Sequence, residues 1–139
     1  MNSPPENALV ARFATYGSAV EIGIGRRPAV AVALAEQGVD VTVVDIADPD
    51  HLEVPAAVPF VRDDVVAASR RDHPGEAYEA AVLYALNLPP ELHRPALAVA
   101  RAVDADFLFT TLGYDPPSIA AETESLPAGE TLYVARGGE

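Results

Sequence analysis

The chain has no cysteine and no lysine, and no apolar run is longer than that of residues 29–35. Without cysteine there is no disulfide and no zinc or iron–sulfur site built on thiolates, so a small secreted fold held by staples is not expected. A run that short falls far below the roughly 20 apolar residues that span a bilayer, so no membrane partner is expected. The opening MNSPPENA shows no basic stretch followed by an apolar one, so we expect no signal peptide and a cytoplasmic location. Nine arginines are the whole basic complement against 21 acids, a net charge of −12. Non-specific nucleic-acid binding needs a basic patch to neutralise phosphates, and it is disfavoured here.

Hydrophobic residues make up 50% of the 139, enough for a real core, and the length suits one domain over 1–139. The acids are scattered from Glu6 to Glu139, not gathered in a block. An acidic face for a basic partner would cluster them. Scatter with abundant alanine and valine favours adaptation to a salty cytoplasm, where surface carboxylates hold water and ions.

Apolar spacing predicts a first helix over 6–16, with Leu9, Val10, Phe13 and Tyr16 on one face and Gly17 ending it. A short strand follows over 18–22. Pro28 suits the first turn of a helix running to Gln37. VDVTVVDI at 39–46 is the clearest strand, rich in β-branched residues. Further strands are expected over 60–62, 77–86, 105–112 and 131–136. A weak helix is expected from Asp63-Asp64 to Arg71, and a longer one over 89–103. Residues 113–128 are read as proline-broken, with a short helix near Ser118, and the last strand is not read as a hairpin arm. Strands alternating with helix-length crossovers imply an α/β Rossmann-like fold: a mostly parallel sheet with helices on both faces.

In such sheets a ligand lies beyond the carboxyl ends of the strands. Here that position holds Glu21-Ile22-Gly23-Ile24-Gly25, whose glycines allow a tight turn close to a ligand. Asp45 ends the second strand twenty residues later, where one carboxylate can accept from two ribose hydroxyls. Two cofactor classes use this geometry. The dinucleotide fingerprint needs a third glycine where Pro28 stands. The acid-x-Gly-x-Gly-x-Gly turn of methyltransferases is met at Glu21, Gly23 and Gly25 and fails at Arg27. Glu21 decides between them. A buried acid needs a partner, and it faces a cationic sulfonium and ammonium better than an anionic diphosphate. Arg26 and Arg27 pull the other way, since they could grip phosphates. On balance the turn is read as a site for S-adenosylmethionine, bound by Glu21, Gly23, Gly25, Asp45 and Asp64. An internal salt bridge from Glu21 to Arg12 or Arg26 is the bland alternative.

Asp64 is preferred over Asp63 as an acceptor for the adenine amino group, although either suits a helix N-cap. Asn87-Leu88-Pro89-Pro90 follows the fourth strand, where amino-group methyltransferases present a polar residue and then prolines. The spacing differs from theirs, and a strand-to-helix corner is the favoured reading. His51, His73 and His93 are read as loop or surface residues, and no metal site is expected.

VEIGIGR, VVDI, VRDDV, YALNLPPELH and GETLYVARG together resemble an uncharacterised archaeal protein family with a small, truncated class I methyltransferase-like Rossmann fold. The likeness runs through nearly the whole chain in order, and VRDDV with the corner Tyr84…Pro89-Pro90-Glu91 is its most specific part. It implies the fold and an archaeal, halophilic setting, but no established activity. It maps the family's acidic turn, its acid after the second strand and its paired acids onto Glu21, Gly23, Gly25, Asp45, Asp63 and Asp64. Two departures stand out: Asn87 replaces an arginine, and Thr110-Thr111 replaces a Lys-Pro pair.

Three functions follow in order of preference. The first is an S-adenosylmethionine binder, acting as a methyltransferase of unknown substrate, whose site a homodimer or protein partner would complete. The second is a non-catalytic nucleotide- or nucleoside-binding regulatory module. The third is an NAD-dependent oxidoreductase, which Pro28 and Glu21 disfavour.

Overall fold

A computed structural model of the chain describes residues 3–23, 28–48, 54–113 and 115–135. Ser3 starts the first helix, α1 (Pro4–Phe13), through a capping box. Its hydroxyl accepts from the Glu6 amide while the Glu6 carboxylate accepts from the Ser3 amide at 3.1 Å. The two prolines lie inside the first turn, where a missing N–H costs nothing, so the helix begins before the expected residue 6. Leu9, Val10 and Phe13 form its buried face.

Strand β1 (Ser18–Ile22) lies between β2 (Asp40–Asp45) and β4 (Val82–Ala85), parallel to both. Beyond β2 comes β3 (Phe60–Arg62), and beyond β4 comes β5 (Asp106–Phe109), again parallel. The last two strands reverse. β7 (Thr131–Ala135) runs antiparallel to β5, and β6 (Glu122–Ser125) pairs antiparallel with β7 at the edge. The order is β3-β2-β1-β4-β5-β7-β6. The chain therefore winds outward from β1 in one direction and from β4 in the other, and a crevice opens where the direction switches.

Helices cover both faces, as the alternation implied. Under α1 and α2 (Ala29–Glu36) lie Phe13, Ala19, Val30, Leu34, Val41, Val43, Tyr84 and Leu108. Under α3 (Val65–Ser69) and α4 (His93–Ala102) lie Val20, Ile22, Val44, Leu83, Ala96, Val99, Phe107 and Phe109. Successive strand residues feed opposite cores, so both need apolar side chains. Arg12 bonds Glu124 at 2.6 Å, and the Tyr16 hydroxyl donates to Asp106 at 2.8 Å, tying α1 to the β5–β7–β6 side of the sheet.

Three expectations are corrected. Residues 77–81 are not strand: a single 3₁₀ turn, Glu76–Tyr78, buries the Tyr78 ring and lets its hydroxyl reach Asp63 at 2.8 Å. No helix forms near Ser118, because its amide is held by a side chain of α4 and bonds no helical carbonyl. β6 lies inside the segment read as irregular, and it makes β7 a hairpin arm. Its sequence, ETES, has no apolar residue because it is an outer strand with neither face in the core.

Phe13 is fully buried and stacks on Tyr84 with ring centroids 4.3 Å apart. Phe13→Ala should lower stability by about 3–5 kcal/mol, read from the midpoint and slope of a urea titration. A loss below about 1 kcal/mol would mean that α1 is not part of the cooperative core.

Candidate functional site

Three strands end at one cavity. Ile22 and Gly23 come from the end of β1, Val44, Asp45 and Ile46 from the end of β2, and Asp63, Asp64 and Val65 from the passage between β3 and α3. Leu88 and Leu92, in the corner between β4 and α4, close it. It encloses about 270 Å³ and is walled mainly by apolar side chains with three carboxylates at its rim. The Gly23 amide bonds Val44 O at 2.7 Å and its φ is +72°, so the chain leaves β1 in a left-handed turn that glycine adopts freely. Ile46 is 63% exposed, an unusual position for isoleucine and one that suits a wall for a flat ring.

The three acids are held differently. Asp45 accepts from the Ala47 amide at 2.9 Å, which turns the chain back after β2. Asp63 is committed: both its oxygens accept from Arg71, at 2.9 and 2.8 Å, and one also accepts from Tyr78. The Arg71 guanidinium holds its carboxyl below the usual range. Asp64 caps α3 through Oδ1, accepting from the Val66 amide at 2.9 Å. The cap therefore uses one oxygen of a residue that also borders the cavity.

Glu21 is on the other face. It precedes the cavity wall at Ile22 and projects under α1 and α2, 1% exposed. Its neighbour across the β1–β4 ladder is Tyr84, whose hydroxyl donates to Glu21 Oε1 at 2.6 Å. Burial pushes the carboxyl up to about 8. The Tyr84 hydrogen bond opposes this, and the charge of Asp45 adds to it. Arg12 is not its partner, since that guanidinium bonds Glu124. Gly25, Arg26, Arg27 and His51 lie outside the described residues.

The structure thus brings Gly23, Asp45 and Asp64 to one cavity and sets Glu21 just behind it. Sequence reasoning missed the apolar wall, the Tyr84 partner and the role of His93. His73 is exposed, as expected, and pairs with Glu79 at 3.4 Å. His93 is not a surface residue: it is fully buried at the start of α4, against the Phe109 ring. Its Nδ1 accepts from the Ser118 amide at 3.1 Å, so Nε2 carries the proton and donates to Leu88 O at 2.9 Å. The ring thus fastens the segment after β5 to the cavity corner. The surrounding Leu-His-Arg-Pro looks polar, and only the helical register reveals which side faces inward. Among the described residues, no three histidine, aspartate or glutamate side chains gather as a metal site.

Two more cavities continue along the same sheet edge. One, of about 240 Å³, lies between the start of α1 and the ends of β4 and β5; the other, of about 530 Å³, lies between those ends and β7. Asn87 borders both, and the expected corner role is also met there, with its amide donating to the Thr110 hydroxyl at 2.8 Å.

The sequence profile of an uncharacterised protein family, UPF0146, matches residues 2–137. The chain belongs to the UPF0146 family. A UPF0146 protein of Halobacterium salinarum is 44% identical over 137 residues, 98% of each chain. One from Archaeoglobus fulgidus is 36% identical over 96 residues, covering 69% of this chain and 68% of that one. Among solved structures, a TehB-like SAM-dependent methyltransferase from Corynebacterium glutamicum superposes with a TM-score of 0.65 at 17% identity, covering 99% of this chain and 89% of that one. At that identity the likeness is one of fold: this UPF0146 chain has the Rossmann-like fold of class I methyltransferases.

The Glu21 carboxyl makes a pH test possible. The folded chain keeps its proton up to about 8, whereas the unfolded chain releases it near the ordinary glutamate value. Between these values the folded state binds more protons, so the contribution to stability falls as pH rises through that window and is level on either side. Glu21→Gln keeps the acceptor for Tyr84 and removes the titration. It should flatten the curve and raise stability at pH 9 by on the order of 4 kcal/mol relative to pH 4. Parallel curves for the two proteins from pH 4 to 9 would show that Glu21 titrates in the folded chain as it does in the unfolded one.

Proposed function

We propose that this chain binds S-adenosylmethionine across the ends of β1, β2 and β3, and that it is a methyltransferase. One observation carries the reading: an apolar slot with acids at its rim stands beside a fully buried acid that costs stability and has one tyrosine as donor. A residue that lowers stability directly behind the wall of a ligand-sized opening is a candidate for function. In this reading Gly23 lets the cofactor approach the backbone, Asp45 accepts from ribose hydroxyls, and Asp64 accepts from the adenine amino group. Ile46, Leu88 and Leu92 cover the ring. Glu21 answers the positive charge of the methionine end, which would favour its ionised form. When bound, the cofactor supplies an electrophilic methyl group. What the chain adds is position, by holding donor and acceptor in line along one edge. The fold likeness supports the assignment, and the archaeal relatives with the scattered acids support a salt-adapted cytoplasmic setting. A non-catalytic nucleotide-binding module would use the same slot.

Calorimetry in molar potassium chloride, with S-adenosylmethionine, S-adenosylhomocysteine and NAD, tests the reading. The first two should bind saturably, and Asp45→Ala should weaken them about tenfold, or 1.4 kcal/mol. Binding of NAD alone would shift the reading to an oxidoreductase. No binding of any of the three by folded protein would sink the cofactor assignment.

A further inference from the structure

The largest of the three cavities described above, about 530 Å³, is built where three chain segments meet. Asn87 comes from the end of β4, Thr111 from the end of β5, and Glu130, Thr131 and Tyr133 from the start of β7. The strand register explains the meeting. Phe109 faces Tyr133 across the antiparallel ladder, and continuing that register sets Thr111 opposite Thr131. The β6–β7 turn is closed by the Leu126 amide on Glu130 O at 2.8 Å, and it passes through Ala128 and Gly129 at φ +68° and +85°. It therefore carries Glu130 over the sheet edge, half-buried. Asn87 is left-handed too, at φ +53°, with its amide fixed on Thr110 Oγ1. Asn87 and Glu130 also border the 240 Å³ cavity under α1, so they stand where the two spaces adjoin.

The charge of these walls has one sign. Among the described lining residues Glu130 is the charged group of the larger cavity, and Glu6 is the second in the smaller; none is basic. The remaining groups of the larger wall are an amide, three hydroxyls and the Tyr133 ring. An anion placed here would meet the Glu130 carboxylate with no basic group beside it among the described lining residues. An amine would find an ion-pair partner, an amide oxygen and an aromatic ring. The volume fits a small molecule.

We propose that this cavity takes a small amine-bearing molecule, with Glu130 as its charge partner and Asn87 as its second acceptor, and that this molecule is the methyl acceptor. The binding claim stands by itself, while the acceptor role rests on the S-adenosylmethionine reading. The chemistry balances. The ammonium of the acceptor gives one proton to the Glu130 carboxylate. The freed nitrogen pair forms the bond to the methyl carbon, the carbon–sulfur bond breaks, and its electron pair stays on sulfur as a neutral thioether. The product leaves as a methylammonium.

The test uses three probes of one shape: benzylamine, benzyl alcohol and benzoate, titrated into the isotope-labelled full chain and followed by amide chemical shifts, at the lowest salt that keeps it folded. Benzylamine should move the amides of Thr111, Glu130 and Thr131, and bind at least tenfold more tightly than benzoate. Glu130→Gln should abolish that preference while leaving the spectrum dispersed and S-adenosylhomocysteine binding unchanged. Equal or tighter binding of benzoate, a preference that survives Glu130→Gln, or no shift at these amides with any probe would overturn the proposal. If benzylamine binds there and S-adenosylhomocysteine binds nowhere, the cavity assignment holds and the methyl-transfer role falls.

Discussion

A parallel sheet has to be covered on both faces, and most of this chain's architecture follows from that requirement. Parallel neighbours cannot be joined by tight turns, so each of β1 to β4 is followed by a crossover that must lie on one face or the other. Here α1 and α2 take one face, and α3 and α4 take the other. With both faces occupied, the strand ends are what remains open to a ligand. The three cavities all lie along the carboxyl edge. The same covering explains the composition: Val41, Val43 and Val44 fill opposite cores from adjacent positions of one strand.

Within that frame Glu21 is the exception that the packing tolerates for a reason. Every other inward position of β1 is apolar. Glu21 sits among them, supported by Tyr84, which is itself clamped by Phe13. Helix α1 therefore holds the tyrosine, the tyrosine holds the acid, and the acid stands behind the cavity formed by β1 and β2. Two side chains thus join α1 to the strand that walls the cavity.

Much of this was legible in the sequence. β-branched runs marked β2, and the glycine turn with a distant acid pointed to the carboxyl edge of the sheet, where the cavities open. What escaped depends on contacts remote in sequence. Tyr78 looks like a strand residue until Asp63 draws its hydroxyl inward. His93 looks solvated until its register on α4 buries it between Leu88 and Ser118. Glu122 to Ser125 carries no apolar signal at all, because an outer strand earns its place through backbone pairing with β7. The Tyr84 partner of Glu21 was hidden for the same reason: a neighbour 63 residues away in sequence is adjacent in the ladder.

The outer strand β6 has a consequence for how copies of this chain meet. An unpaired strand margin is a template for adding strands from another molecule, and folded proteins blunt it with charge. Here Glu122 and Glu124 occupy one margin, while the other, β3, is three residues long. In molar salt the Debye length is about 3 Å. Repulsion between whole molecules of net charge −12 would be screened, and only carboxylates at the contact itself would still act. Glu124 is neutralised by Arg12, so at that contact β6 presents the carboxylate of Glu122, and resistance to fibre-like stacking survives there where the bulk charge no longer protects.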